Sequence, residues 1–331
     1  MSRIKDTDFL FISTYLRARE NNLLSHERME RMLEARTDED AAKVLTECGY
    51  TGLEPLTADS LSRSLSRARS ETFAELASMS PNADIVDVFR IKYDYHNAKA
   101  LMKCHASGQS VDSMLIDAGR YTIPVITAAV LQENYSPLTD SLRRAIVDAG
   151  EVLSATGDPQ KSDFILDKAC YAEMAATAAR SGSSFLVSYT ALQVDAANLK
   201  SVVRAIRMKK NADFLRSVLL SGGNVSESAI NTAFLAGGNL EGVFTGYLQD
   251  AATLGSAAAK GGRQTAFEQA VDNALNAYLQ SSRLTAFGDS VLIAYAAAKE
   301  NEITAARIIM SGRMAGISTE AIRERLRDSY V

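Results

Sequence analysis

The sequence has few of the residues from which metal sites and disulfide frameworks are built. Of 331 residues three are histidine and three are cysteine, and Cys48, Cys104 and Cys170 stand far apart without a CxxC pair. Metal-binding histidines usually lie three or four residues apart on a helix, whereas His96 and His105 are nine apart. We therefore expect no metal and no cofactor, and we interpret the cysteines as reduced core thiols of a cytoplasmic protein.

Signatures of nucleotide binding, nucleophilic catalysis and membrane insertion are also missing from the sequence. There is no GxxxxGK[ST], no GxGxxG and no GxSxG pattern. The first residues lack the apolar core of a signal peptide, and the longest apolar runs fall far short of the roughly 20 residues that span a bilayer. A net charge of −4 gives no basic bias toward nucleic acid. We expect neither direct membrane insertion nor nucleic-acid binding.

Proline is scarce, and its positions favour an all-α fold. The chain has five prolines, none after Pro159, and we place Pro124, Pro137 and Pro159 in the first turns of helices. No run alternates like a strand between hairpin turns. We interpret the glycine-rich residues 255–263 as a loop. The predicted helices cover residues 5–21, 26–35, 38–48, 58–79, 84–106, 111–118, 123–132, 137–155, 159–181, 183–209, 212–220, 227–235, 240–255, 264–280, 284–310 and 319–328.

One amphipathic helix recurs along the chain. Residues 86–103 match residues 187–204 after a shift of 101 positions, in both their apolar stripe and their polar residues. The matched polar triplets are Asp94, Asn97 and Lys99; Asp195, Asn198 and Lys200; and, more loosely, Glu302, Ala305 and Arg307. A long helix that returns about every 100 residues predicts three similar helical domains, residues 1–107, 108–209 and 210–331.

A second repeated signal is a hydroxyl residue at the start of a short helix. Such residues can accept an N–H of the first turn, and in three of four places a glycine stands shortly before them. The hydroxyl residues are Ser25, Thr122, Ser226 and Ser318, and the glycines are Gly119, Gly223 and Gly316. Four caps enclose three units, which suggests that residues 318–331 complete the first domain. The hypothesis is that the three domains close into a ring-like or funnel-shaped body and not an open rod.

The repeated Asp-x-x-Asn-x-Lys motif has three interpretations. Asp94 and Asn97 lie one turn apart and share a helix face, so they could brace a neighbouring loop in each domain. They could instead line a surface that binds a partner, or take part in catalysis, although active sites are seldom present in three degenerate copies. We also consider two arginines of the first helix. The residues that we predict to bind a partner are Arg17, Arg19, Asp94, Asn97, Lys99, Asp195, Asn198, Lys200, Glu302 and Arg307.

Four stretches of the chain match a known family. They are TYLRARENNLLS, FRIKYDYHNAKALMK, IAYAAAKENEITAARIIMSGRMAGIS and EAIRERL, in that order and across nearly the whole length. The chain resembles the C subunit of V-type and A-type ATPases and ATP synthases, the family that includes the d subunit of the eukaryotic V-type pump. It departs from the family pattern at Ala305, where asparagine is expected.

The resemblance implies a fold and a role. It implies an all-α funnel or socket of three similar domains, related by a pseudo-threefold internal repeat. Such a subunit belongs to the central stalk of a rotary motor, catalyses nothing and sits peripherally on the cytoplasmic face of the membrane. Its partners would be the shaft made by the D and F subunits and the membrane rotor ring, with one copy per complex and a monomer when isolated. Rotation would link ATP hydrolysis or synthesis to proton or sodium transport. Two alternatives are a helical scaffold with a different protein partner and an all-α enzyme with a deep polar pocket.

Overall fold

The computed structural model describes residues 5–111 and 114–331, and its regular structure is helical. Within that part of the chain there is no β-strand, only one isolated bridge between Glu241 and Phe244. The all-α prediction is confirmed. The helices are α1 (Leu10–Glu20), α2 (His26–Glu34), α3 (Asp38–Glu47), α4 (Ala58–Met79), α5 (Ala83–Ser107), α6 (Ile123–Leu131), α7 (Asp140–Thr156), α8 (Pro159–Ser181), α9 (Ser184–Arg207), α10 (Ala212–Val218), α11 (Glu227–Leu235), α12 (Gln249–Ala259), α13 (Gln264–Gln280), α14 (Asp289–Met314) and α15 (Thr319–Arg323).

The described chain divides into two compact units. The first contains Met1–Ala83 together with Asn239–Val331, and the second contains Asp84–Gly238. The division into three repeats stays a prediction. In the first unit, apolar side chains of α2, α3, α4 and α14 form one buried core, which also takes in Ile322 and Leu326 near the C-terminus. The last residues of the chain therefore pack with its first helices.

In the second unit, α8 packs against both α7 and α9. The chain turns between α7 and α8 at Gly157, which has a φ of +63°, and Pro159 then occupies the first turn of α8. It turns again at Gly182, with a φ of +74°, and the Ser183 side chain accepts the Leu186 N–H at the start of α9. A left-handed glycine followed by a residue suited to a helix start makes a short connection between long helices.

The hydroxyl caps lie where the sequence predicts helix starts. The side chains of Ser25, Ser226 and Ser318 each accept a backbone N–H of the following helix. Thr122 occupies the same position before α6, but its side chain makes no capping hydrogen bond. The positions are confirmed at all four sites and the hydrogen bond at three.

Several local predictions need correction, among them the helices predicted at residues 240–255 and 319–328, which are observed at Gln249–Ala259 and Thr319–Arg323. The predicted loop at residues 255–263 is wrong in its first half, because α12 continues to Ala259 through the alanines that follow Gly255. Pro137 precedes α7 and is not in its first turn, since Thr139 caps that helix. The predicted helix at residues 111–118 lies partly outside the described residues, and Leu115 and Ile116 are in no helix.

Candidate functional site

The repeated asparagines on α5 and α9 hold neighbouring loops through paired backbone hydrogen bonds. Asn97 donates from Nδ2 to the Ile116 carbonyl at 2.8 Å and accepts the Ile116 N–H at 2.9 Å. Asn198 does the same with Leu220, at 2.8 Å in each direction. Each asparagine therefore satisfies both polar groups of one loop residue, which an apolar side chain at this position would leave unpaired.

The repeated aspartates hold the same loops five residues further on. Asp195 accepts the N–H groups of Asn224 at 2.9 Å and Val225 at 3.0 Å, and Asp94 accepts the N–H of Tyr121 at 3.3 Å. Val225 and Tyr121 each stand just before the cap of the next short helix. We call residues 116–121 and 220–225, with the aspartate and asparagine that bind them, the first and second braced loops.

The first braced loop contains a buried ionic cluster. Arg120 donates from Nε to Asp94 Oδ2 at 2.7 Å and from Nη1 to Glu173 Oε1 at 2.8 Å. Glu173 on α8 also accepts from the hydroxyls of Tyr95 and Thr139, at 2.8 and 3.0 Å. Burial raises the pKa of the Asp94 carboxyl to about 6, although the Arg120 charge acts in the opposite direction. Two carboxylates thus share one guanidinium.

Glycine is required in each braced loop because the aspartate comes so close. A Cβ atom on Gly119 would lie 2.2 Å from Asp94 Oδ1, and one on Gly223 would lie 2.1 Å from Asp195 Oδ1. Neither glycine has a positive φ, so the requirement comes from space alone.

The third copy of the motif, on α14, also accepts a backbone N–H that precedes a helix cap. Glu302 accepts the Leu24 N–H at 2.8 Å, directly before the Ser25 cap of α2. Its other oxygen accepts from the Tyr50 hydroxyl and the Lys299 ammonium, both at 2.5 Å. Ala305 replaces the asparagine and packs beside the apolar core. The third copy therefore keeps a carboxylate that accepts a backbone N–H, but it lacks an asparagine that hydrogen-bonds a loop residue.

Most of the predicted cations are engaged within the chain. Lys99 forms an ion pair with Asp167 on α8, and Lys200 also makes an interaction inside the chain. Arg17 pairs with Glu20 and donates to the carbonyls of Ser282 and Thr285, at 2.7 and 2.8 Å. Arg19 lies 3.4 Å from Glu75 and above the ring of Tyr15.

Arg307 differs from the other predicted cations. It is exposed and has no hydrogen-bond or ion-pair partner among residues 5–111 and 114–331. Partial burial lowers the pKa of its guanidinium, and the nearby charge of Arg69 lowers it further.

The described contacts support the bracing interpretation of the motif. Asp94, Asn97, Asp195 and Asn198 are almost completely buried, so a partner would have to displace a loop to reach them. Direct partner contact by the ten predicted residues stays a prediction. The Arg120–Glu173 ion pair is not among the sequence predictions. The only signal for it in the sequence is an arginine next to Gly119, in the segment that leads to a helix cap.

Described residues contain no helix that combines the length and the apolar character needed to cross a bilayer. The fold and the motif define an all-α protein in which two loops are fastened to the long helices α5 and α9 by buried polar side chains. Its family follows from comparison: the model of the ATP synthase (C/AC39) subunit matches residues 12–325, and the chain belongs to that family. The resemblance is confirmed.

Individual relatives agree with this family. The chain is 26% identical over 327 residues to the C subunit of the V-type sodium ATPase of Enterococcus hirae, covering 96% of this chain and 98% of that protein. It is 25% identical over 258 residues to the C subunit of the A-type ATP synthase of Halobacterium salinarum, covering 71% of each. The corresponding A-type protein of Methanococcoides burtonii is 23% identical over 233 residues, covering 66% of this chain and 64% of that protein. The chain is a non-catalytic subunit of a rotary ATPase, with other ATPase subunits as its partners.

Proposed function

We propose that this chain is the central-stalk rotor subunit that joins the D–F shaft to the membrane rotor ring, on the cytoplasmic face of the membrane. In this role it carries rotation between ATP hydrolysis or synthesis and the transport of protons or sodium. The observation that supports the proposal is the family match across residues 12–325, with similarity over almost the full length to the C subunit of a V-type sodium ATPase. The funnel of three similar domains is part of the same proposal.

A rotor coupler must transmit torque without yielding, and the local structure suits this requirement. Helix α14 has 26 residues, which at 1.5 Å per residue is a rod of about 39 Å. Within the second unit, the braced loops are fastened to the long helices α5 and α9 by hydrogen bonds between buried asparagine side chains and loop backbone groups. Loops held in this way resist the local opening that a chain with solvent-bonded loops undergoes.

The experiment is a titration of the purified chain with the purified D–F complex, at low and at moderate salt. We expect saturable one-to-one binding that weakens as salt rises, because exposed charges are screened within about 10 Å at 0.1 M ionic strength. A folded, monomeric chain that binds neither the D–F complex nor ring-containing membranes contradicts the proposal. Binding to the membranes alone would assign the chain to the ring and not to the shaft.

A further inference from the structure

A cavity of about 260 Å³ opens between α8, α9 and α10 in the second unit. Much of its wall is aromatic or apolar, formed by Phe164, Tyr171, Met208, Phe214 and Val218. The rings of Phe164 and Phe214 meet edge to face, with centroids 5.8 Å apart and an interplanar angle of 78°. Such a contact holds both rings in place, so the cavity is already formed in the chain without a partner.

The wall also carries a cation that the fold does not neutralise. Arg204 lines the cavity from α9, and no carboxylate in the part of the chain that the structure describes pairs with it. Its counterpart 101 positions earlier, Lys103, forms an ion pair with Asp163 of α8. Asp167 of α8 lines the cavity too, but Lys99 binds it. Both of these carboxylates are therefore held by α5, and Arg204 is left without one.

A second cation lies against the same wall. Lys210 Nζ is 5.1 Å from the centroid of the Phe214 ring, within the range of a cation–π contact. An occupant of the cavity therefore meets aromatic surface and positive charge together. An apolar group next to a carboxylate complements this combination, because a guanidinium can donate two parallel hydrogen bonds to a carboxylate.

The volume of the cavity limits what can enter it. Sites for small molecules and cofactors usually occupy about 300–1,000 Å³, whereas an engineered cavity of about 150 Å³ is large enough for benzene. The cavity between α8, α9 and α10 thus has room for one aromatic or branched aliphatic side chain. Large side chains seated in preformed pockets commonly provide much of the binding energy of a protein interface.

We propose that this cavity receives one large apolar side chain of the D–F shaft and that Arg204 binds a carboxylate beside that side chain. The inference rests on the proposed function and names one contact within it. The shaft is favoured over the ring because the uncompensated arginine is not repeated in the first copy, where Lys103 is paired. A ring of identical subunits presents the same side chain at many positions, whereas a shaft presents each of its side chains once.

The test fills the cavity and, separately, removes its charge. Ser201 lines the cavity from α9, and Ser201→Leu places a larger apolar group inside it. We expect the affinity of the full chain for the purified D–F complex to fall about tenfold, without a lower midpoint of thermal unfolding, because a filled cavity adds apolar contacts. Arg204→Gln should weaken the same binding about fivefold at low salt and reduce its salt dependence.

Two substitutions on α7 are the matched controls. Ser154→Leu adds the same bulk at an exposed serine, and Arg144→Gln removes the same charge from an exposed arginine of the same unit. Neither residue lines the cavity. We expect both variants to bind the D–F complex as the wild type does. Losses in the controls as large as those in the cavity variants would overturn the inference.

The outcomes separate this inference from the proposed function. Wild-type chain that binds neither the D–F complex nor ring-containing membranes overturns both. Wild-type binding to the D–F complex that Ser201→Leu and Arg204→Gln leave unchanged overturns only the inference. If Ser201→Leu lowers the unfolding midpoint, the affinity of Arg204→Gln decides. Cavity variants that lose binding to ring-containing membranes or to protein-free anionic vesicles, but keep binding to the D–F complex, overturn the assignment to the shaft.

Discussion

The two braced loops of the second unit have the same backbone contacts but different electrostatics. In both, an asparagine binds one loop residue in both directions and an aspartate accepts an N–H five residues later. The first loop adds Arg120 and Glu173 to the aspartate, whereas the second adds the neutral side chain of Asn224 at 2.9 Å. Both copies of the motif therefore make the same hydrogen bonds to the loop backbone, whereas the charged groups around the aspartate differ between the copies.

The largest expected effect comes from removing the shared cation of the first loop. Arg120→Met leaves Asp94 and Glu173 buried without their counter-charge, and we expect it to destabilise the chain by about 3–5 kcal/mol. The counterpart Asn224→Ala removes one side-chain hydrogen bond to Asp195 and should cost about 1 kcal/mol. Urea unfolding of both variants provides the comparison. Equal losses would mean that the ionic cluster adds nothing to the stability of the first braced loop.

Substitution of the loop glycines should cause the second-largest loss in the free energy of unfolding, and we expect the same loss in both loops. Gly119→Ala and Gly223→Ala each place a methyl group against the aspartate, which must move and give up its backbone hydrogen bonds. We expect losses of about 3 kcal/mol in the free energy of unfolding for each. Gly150→Ala is the control, since a Cβ atom there would meet only Met102 Cε at 3.8 Å and alanine favours the helix. A neutral result at Gly223 would show that the loop relaxes easily.

The two asparagines differ in how deeply their hydrogen bonds are buried, and their substitution should therefore differ in cost. Asn198→Ala leaves the N–H and carbonyl of Leu220 without hydrogen-bond partners in a fully buried setting. The equivalent hydrogen bonds between Asn97 and Ile116 are only partly buried. We expect losses of about 2–3 kcal/mol for Asn198→Ala and about 1 kcal/mol less for Asn97→Ala, because unpaired polar groups cost more away from water. Hydrogen exchange at the Leu220 and Ile116 amides measures the same difference locally. A larger effect at Asn97 would contradict the burial argument.

The sequence predicts the faces of the long helices but not the positions that their polar residues contact. The one-turn spacing of Asp94 and Asn97 is enough to place them on a shared face, because helix geometry is local. Their loop partners depend on the path of the chain after α5, and the Glu302 contact with Leu24 joins residues 278 positions apart. In the sequence, Gly119 is only a helix-ending signal. The clash with Asp94 that requires it is visible only in three dimensions.

The smallest expected effect is a pH dependence of stability that arises from Asp94 in the first braced loop. The pKa of Asp94 is raised by burial from 3.8 to about 6, so between these values the folded chain holds a proton that the unfolded chain has released. Stability from this group therefore falls as pH rises, by about 1 kcal/mol between pH 5 and pH 7. Asp94→Asn has no proton to lose there, so the stability of the wild type relative to this variant should fall over the same window. Urea unfolding of both proteins at the two pH values measures this change, and an unchanged relative stability of the wild type would mean that Arg120 holds the carboxylate ionised throughout.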